Sequence, residues 1–197
     1  SSVPLFSSGF ATDFSFRTQT NSSQNRLTAT RLTANSYLYI NDNQTETGSD
    51  NDASLDYSTG FGDWTSDLSH WQAWMWKRHA GFDVVTYNGT GSAQSLRHSL
   101  GKNVEMAWIK KRDDAEDWKV YHSGIDSSNP ENYNLTLNED LGRDYSTSRF
   151  GVPSSTHFTV NTHATTNGSG GSYLMMLFAS VDGISKCGSF NGSSSNV

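Results

Sequence analysis

Along this chain apolar side chains alternate with polar ones more often than they return at a helical interval. Tyr133, Leu135 and Leu137 alternate with Asn134, Thr136 and Asn138, and Trp118, Val120 and His122 alternate with Lys119 and Tyr121. Denser runs, Tyr37 to Ile40, Phe82 to Tyr87 and Met106 to Ile109, predict strands covered on both faces. Between them stand turn-forming clusters such as Asn88-Gly89-Thr90-Gly91 and Asn167-Gly168-Ser169-Gly170-Gly171. Short strands separated by such turns predict an all-β fold, an antiparallel, jelly-roll-like β-sandwich. Asp67 to Trp76 reads two ways. As a helix it places Leu68, Trp71 and Met75 on one face. As a strand it sets Trp74 and Trp76 opposite Trp71, Ala73 and Met75. The strand is preferred, because the similar run Tyr173 to Ala179 follows a glycine turn that no helix favours.

That similarity extends further. Trp71 to Trp76, Gly81-Phe82 and Tyr87-Asn88-Gly89 recur as Tyr173 to Phe178, Gly183-Ile184 and Phe190-Asn191-Gly192, about 102 residues later. Upstream, Asp13 to Arg17 matches Met106 to Lys110, and Ser36 to Asp42 matches Asn132 to Asn138, in the same order. An interval of this length marks duplication of a whole domain rather than a solenoid unit. The expected organisation is therefore sandwich domains in tandem. A divergent first repeat covers residues 1–78 and a second covers residues 79–181. Residues 182–197 either open a further repeat or form a C-terminal strand or linker. The expected core is Trp71, Trp74, Trp76, Trp108, Trp118, Leu174, Met176 and Phe178, because each large apolar side chain stabilises by roughly 1.5–3 kcal/mol when buried.

Four blocks of the second repeat carry a family likeness. They are Gly81 to Gly91, His98-Ser99-Leu100-Gly101-Lys102, Trp108-Ile109-Lys110-Lys111-Arg112, and Asp117-Trp118-Lys119-Val120-Tyr121-His122. Together they resemble a tandem repeat of uncharacterised function found in tail fibres and other structural proteins of marine and cyanobacterial bacteriophages. The first repeat lacks the second and fourth blocks. The resemblance implies a non-enzymatic virion structural protein, part of a tail fibre or similar appendage that attaches to the host. It also implies a homo-oligomer, a homotrimer by analogy with fibres, which contacts other virion proteins and is assembled in the bacterial host cytoplasm. A capsid decoration or head-fibre protein is one alternative. A carbohydrate-binding module of a surface adhesin or secreted enzyme is another.

Composition narrows the chemistry. Ser, Thr, Asn and Gly number 31, 19, 16 and 17 among 197 residues, while charged residues are only 17%, so the surface is neutral-polar. A net charge of −6 argues against nucleic acid as a partner. No apolar run is long enough to insert in a membrane as a helix. The single cysteine, Cys187, excludes a disulfide within the chain and reads as a small buried group. No cofactor is expected. Carboxylate pairs for sugar hydrolysis, Asp63 with Asp67 or Asp114 with Glu116, read as loop residues, and Gly168-Ser169-Gly170 is too short for a nucleophile turn. Asp50, Asp52 and Asp56 alternate as calcium ligands do, but the run lacks both the glycine and the closing glutamate of a calcium loop. His98 is expected to bond across a loop. Lys110, Lys111 and Arg112 with Asp113, Asp114, Glu116 and Asp117 read as a solvated loop with local charge pairing. Aromatic rings beside carboxylates suit a glycan or a neighbouring subunit, and on that ground Trp64 with Asp63 and Tyr57, and Tyr145 with Asp144, are candidate contacts.

Overall fold

The computed structural model describes residues 4–34, 36–48, 54–62 and 69–190. Its regular elements are almost all antiparallel strands, as the alternation predicts. The run Trp71–Trp76, read two ways above, is a strand.

Six strands form the first half: β1 (Phe6–Ser7), β2 (Phe14–Gln19), β3 (Leu27–Thr30), β4 (Leu38–Tyr39), β5 (Gly60–Phe61) and β6 (Trp71–Trp76). They make a sheet ordered β4-β3-β2-β6 and a covering pair β1-β5. In the second half β7 (Phe82–Asn88), β9 (Met106–Lys111), β10 (Lys119–His122), β11 (Tyr133–Thr136), β12 (Asp144–Tyr145) and β14 (Ser172–Phe178) form a six-stranded sheet, ordered β12-β11-β10-β9-β14-β7. Its cover is the pair β8 (Gln94–Arg97) and β13 (His157–Val160).

The two halves share one plan. Stripped of β7 and β12, the larger sheet reads β11-β10-β9-β14 beside cover β8-β13, strand for strand the order of β4-β3-β2-β6 beside β1-β5. The segments matched in sequence occupy equivalent places: β6 with β14, β2 with β9, and β4 with β11. In β2 the match needs a shift of one residue. Phe14 pairs with Trp76 as Met106 pairs with Phe178, so the counterpart of Phe14 is Met106 rather than Ala107. A slip of one residue turns every side chain to the opposite face, so only the sheet register fixes this. Position 78 falls between β6 and β7, where the chain passes from the smaller sheet to the larger. His79 and Gly81 take positive φ there, and a Cβ on Gly81 would collide with Ser185 Oγ. Segment 184–190, matched in sequence to β7, forms no strand. Past the bridge of Val181 to Ser185 it has no regular structure.

Three apolar layers separate four layers of strands. Leu27, Ala29, Leu55 and Phe61 pack beneath the β1-β5 cover. Ala107, Ile109, Tyr121, Phe158, Val160, Tyr173, Met175 and Leu177 pack beneath β8-β13. Between the two sheets, Phe14, Leu38 and Ile40 from the first half meet Phe82, Val84, Trp118, Leu174, Met176 and Phe178 from the second. The two halves thus sit back to back on a shared core. Phe14 and Phe82 stack across it with centroids 5.6 Å apart, and Trp118 Nε1 donates to the Tyr39 carbonyl at 2.9 Å. Arg112 and Glu46 add an ion pair of 2.6 Å between the halves. β14, buried on both faces, explains the unbroken apolar run Tyr173 to Phe178.

Four of the eight expected core residues, Trp118, Leu174, Met176 and Phe178, are buried. Trp71, Trp76 and Trp108 are half-buried, and Trp74 is 37% exposed, its ring stacked on Phe16 at 4.6 Å. For the three tryptophans of β6 the reason is position: among the described residues β6 is the outer strand of its sheet, so its far side has no neighbouring strand to complete the cover, whereas Trp108, on the inner strand β9, packs against the inter-sheet core without being enclosed by it. β11 corrects the reading in another way. Leu135 and Leu137 face outward, while Asn134, on the opposite face, is buried and donates through Nδ2 to the Asp144 carbonyl at 3.0 Å.

Candidate functional site

The residues proposed for glycan or subunit contact do not converge. Tyr145 lies on the sheet-edge strand β12, 62% exposed, its ring edge-on to Tyr133 at 5.4 Å. The Arg143 guanidinium sits 4.4 Å over Tyr133. Asp144 beside it is engaged: Arg149 Nη1 donates to its Oδ2 at 2.7 Å, and the Arg149 and Asn134 bonds hold its carboxyl below the ordinary range. Its Oδ2 anchors Arg149, and the side chain stays 60% exposed. Tyr57 is half-buried in the segment leading to β5, in the other half of the molecule. Trp64 and Asp63 lie outside the described residues, as do Asp50, Asp52 and Asp67. Asp56 is exposed. Among the described residues no cluster of three His, Cys, Asp or Glu side chains is placed to hold a metal. Nor is any helix among them long and apolar enough to cross a membrane.

A different concavity gathers aromatic and amide side chains. β2 and β6 pair along their full length, which sets Gln19 opposite Trp71 and Arg17 opposite Ala73. β3 begins at Leu27, opposite Tyr39. These residues share the face that the β1-β5 pair covers, but they lie toward the end where β6 starts. The resulting cleft, about 350 Å³, is lined by Gln19, Gln24, Asn25, Leu27, Tyr37, Tyr39 and Trp71, with Arg17 at its base. Arg17 is 2% exposed and its guanidinium lies 4.9 Å over the Trp71 ring. The Tyr37 and Tyr39 rings meet edge to face at 5.5 Å. Ser22 Oγ donates to Gln19 Oε1 at 2.7 Å, and Asn25 Nδ2 donates to Asp42 Oδ2 at 3.3 Å. Sequence reasoning placed Trp71 in the core and passed over the amides. The available signal was parity: Arg17 with Gln19, and Tyr37 with Tyr39, each fall on one face of a strand.

Two buried charged groups stand out. Asp83, fully buried, accepts from Arg78 Nε at 2.6 Å, from Ser99 N at 2.6 Å and from Ser99 Oγ at 2.8 Å. His79 Nδ1 lies 3.0 Å from the same hydroxyl. Asp, Ser and His are present, but Asp83 itself accepts the hydroxyl's hydrogen bond instead of orienting the imidazole, so the order differs from that of an activated nucleophile. The bonds clamp the 78–83 turn to the 98–99 loop. Next to it His98 bonds across its loop as expected: Nε2 lies 3.2 Å from the Ser154 carbonyl, and Leu100 N donates to Nδ1 at 3.3 Å. The amide bond to Nδ1 makes Nε2 the protonated nitrogen, and burial lowers the pKa of the ring.

Lys110 overturns the solvated-loop reading. It is fully buried, and Nζ donates to the carbonyls of Lys111 at 2.5 Å and Asp114 at 2.9 Å. Burial pulls its pKa down to about 8, against Glu116, Asp114, Asp117 and Asp113, which raise it. Lys111 does pair locally with Asp114 at 2.8 Å, whereas Arg112 reaches Glu46 in the other half. Because the folded pKa of Lys110 lies below its ordinary 10.5, the unfolded chain holds more protons between pH 8 and 10.5. Stability is therefore expected to rise with pH across that window, by about 1–3 kcal/mol for this group. Urea denaturation of wild type and Lys110→Met at each pH isolates the effect. Wild type should gain stability relative to the variant as pH rises, and a constant difference would show that the ammonium carries no burial cost.

Cys187 is half-buried against the inter-sheet core, and burial with Glu105 nearby pushes its thiol up to about 11, so it stays protonated.

Among known families, residues 1–196 match the one described as a domain of unknown function, DUF7483. No curated protein and no solved structure matches the chain.

Proposed function

This chain belongs to the DUF7483 family, and we propose that it is a non-enzymatic structural module of a bacteriophage virion, part of a tail fibre or similar appendage engaged in host attachment. The observation that carries the reading is the doubled strand plan closed on a common aromatic core. A module whose interiors are three packed layers resists deformation, because dense side-chain contacts leave little free volume to collapse into. The four blocks that resemble the phage repeat fall on β7, the 98–102 turn, β9 and the whole of β10, so the likeness follows this scaffold. In this reading the halves descend from one duplicated sandwich, and the first lost the His-x-Leu-Gly and Trp-x-Val-Tyr-His blocks while keeping the strand order. The molecule works as a homo-oligomer, a trimer by analogy with fibres, among other virion proteins. Its surface depends little on charge, so salt disturbs it little.

Purified particles of a phage that encodes the protein provide the test. Mass spectrometry should find the protein in the particles, and gold-labelled antibody should mark the tail appendage. Label on the head would instead select a capsid decoration protein, and absence from intact particles would overturn the reading. Sedimentation equilibrium of the isolated chain reads the oligomeric state.

A further inference from the structure

We infer that the cleft at the end of the smaller sheet is a binding site for a neutral saccharide. The argument starts from a contrast between the two halves. Trp71 opens β6 and Tyr173 stands at the same place in β14, both on the face that carries the covering pair. Tyr173 is fully buried. It stacks on Tyr87 at 5.0 Å, and its hydroxyl donates to the carbonyl of Ala164 at 2.6 Å in the short helix Ala164–Asn167, which closes that end of the second sandwich. In the first half the corresponding aromatic, Trp71, is half-buried and lines the cleft. The same strand position is a plug in one unit and a wall of a cavity in the other.

The lining suits one chemical class. A pyranose ring offers an apolar C–H face and a rim of hydroxyls, each both donor and acceptor. Trp71 and Tyr39 supply flat apolar surface with large contact area and little rotamer entropy to lose. Gln19, Gln24 and Asn25 each carry a carbonyl acceptor and an NH2 donor; Gln19 Oε1 already accepts from Ser22, and Asn25 donates to Asp42 and accepts from Asn41, but a second lone pair and a second N–H on each amide still match hydroxyls in either sense. A volume of about 350 Å³ lies within the range of small-ligand sites, roughly 300–1,000 Å³. Charge points to a neutral ligand. The charged side chain among the lining residues, Arg17, is 2% exposed with its guanidinium 4.9 Å over the Trp71 ring, so what the cleft offers at its mouth is neutral amides and rings.

The inference is independent of where the protein sits in a particle, because it concerns the isolated chain. The full chain is applied to an array carrying glucans, mannans, galactans and N-acetylhexosamine oligomers beside uronic-acid and sulfated oligosaccharides. The best binder is then titrated by calorimetry. Binding to at least one neutral glycan is expected, weakened about tenfold or more, some 1.4 kcal/mol, by Trp71→Ala. Gln24→Ala, on an exposed loop position where folding is undisturbed, should weaken it severalfold, with an unchanged melting temperature as control. Binding to no neutral glycan, binding only to acidic ones, or loss with Tyr145→Ala while Trp71→Ala binds normally would each overturn the assignment.

Discussion

Trp118→Ala is expected to cost about 3–5 kcal/mol of folding stability, more than truncation of any other side chain in the shared core. The indole is fully buried between the two sheets, and its ring nitrogen donates across that core to the Tyr39 carbonyl at 2.9 Å. Truncation therefore opens a cavity and removes the indole N–H bond to a carbonyl of the other half. For a chain of this length such a loss lowers Tm by roughly 6–20 °C. Because the cavity lies between the halves, both should destabilise together, so circular dichroism and tryptophan fluorescence should report one coincident, shifted transition. Trp118→Phe separates the contributions, since it retains most of the ring volume and removes only the N–H. A loss below about 1 kcal/mol for Trp118→Ala would mean that the halves do not depend on this contact. Trp108, half-buried at the rim of the same core, should cost less when truncated.

Asp83→Asn comes second, at about 2–4 kcal/mol. The carboxylate accepts from Arg78 and twice from Ser99 while fully buried. An asparagine amide keeps one acceptor oxygen but presents donors where the Ser99 amide and hydroxyl already donate. Burial alone would raise the pKa of Asp83, yet the bonds from Arg78, Ser99 and Val84 outweigh it and the net shift is downward. A depressed folded pKa contributes stability that is present above the ordinary value of 3.8 and is lost as pH falls through the folded value. Acid denaturation of wild type should therefore show a stability loss below about pH 4 that Asp83→Asn lacks. Identical acid limbs in the two proteins would show that the clamp holds equally well uncharged.

How much of the fold and the cleft was legible in the sequence varies by residue. The strands of β14, β9 and β10 follow from alternation and from the apolar run of Tyr173 to Phe178, because a period of two with β-forming side chains leaves few other structures. The loop-spanning role of His98 also followed, from a histidine next to Leu-Gly in turn text. Lys110 did not. A lysine beside four acidic residues reads as surface, and only the turn at 111–114, which offers two carbonyls to its ammonium, makes burial tolerable. The cleft was invisible for a related reason. Its walls come from β2, the 20–26 loop, the segment through β4 and the start of β6, so no local spacing signals it.

From the order of residues alone came the all-β class and the strand character of β6. Both rest on periodicity and on turn-forming residues, which act over a few positions. The facing of each strand waited on the folded molecule: Asn134 in and Leu135 out, Trp118 enclosed and Trp74 at an edge, Trp71 on a cleft and Tyr173 under a helix. Alternation separates two faces without saying which one meets another sheet. That choice belongs to long-range packing, where a layer buries whichever surface its partner can cover.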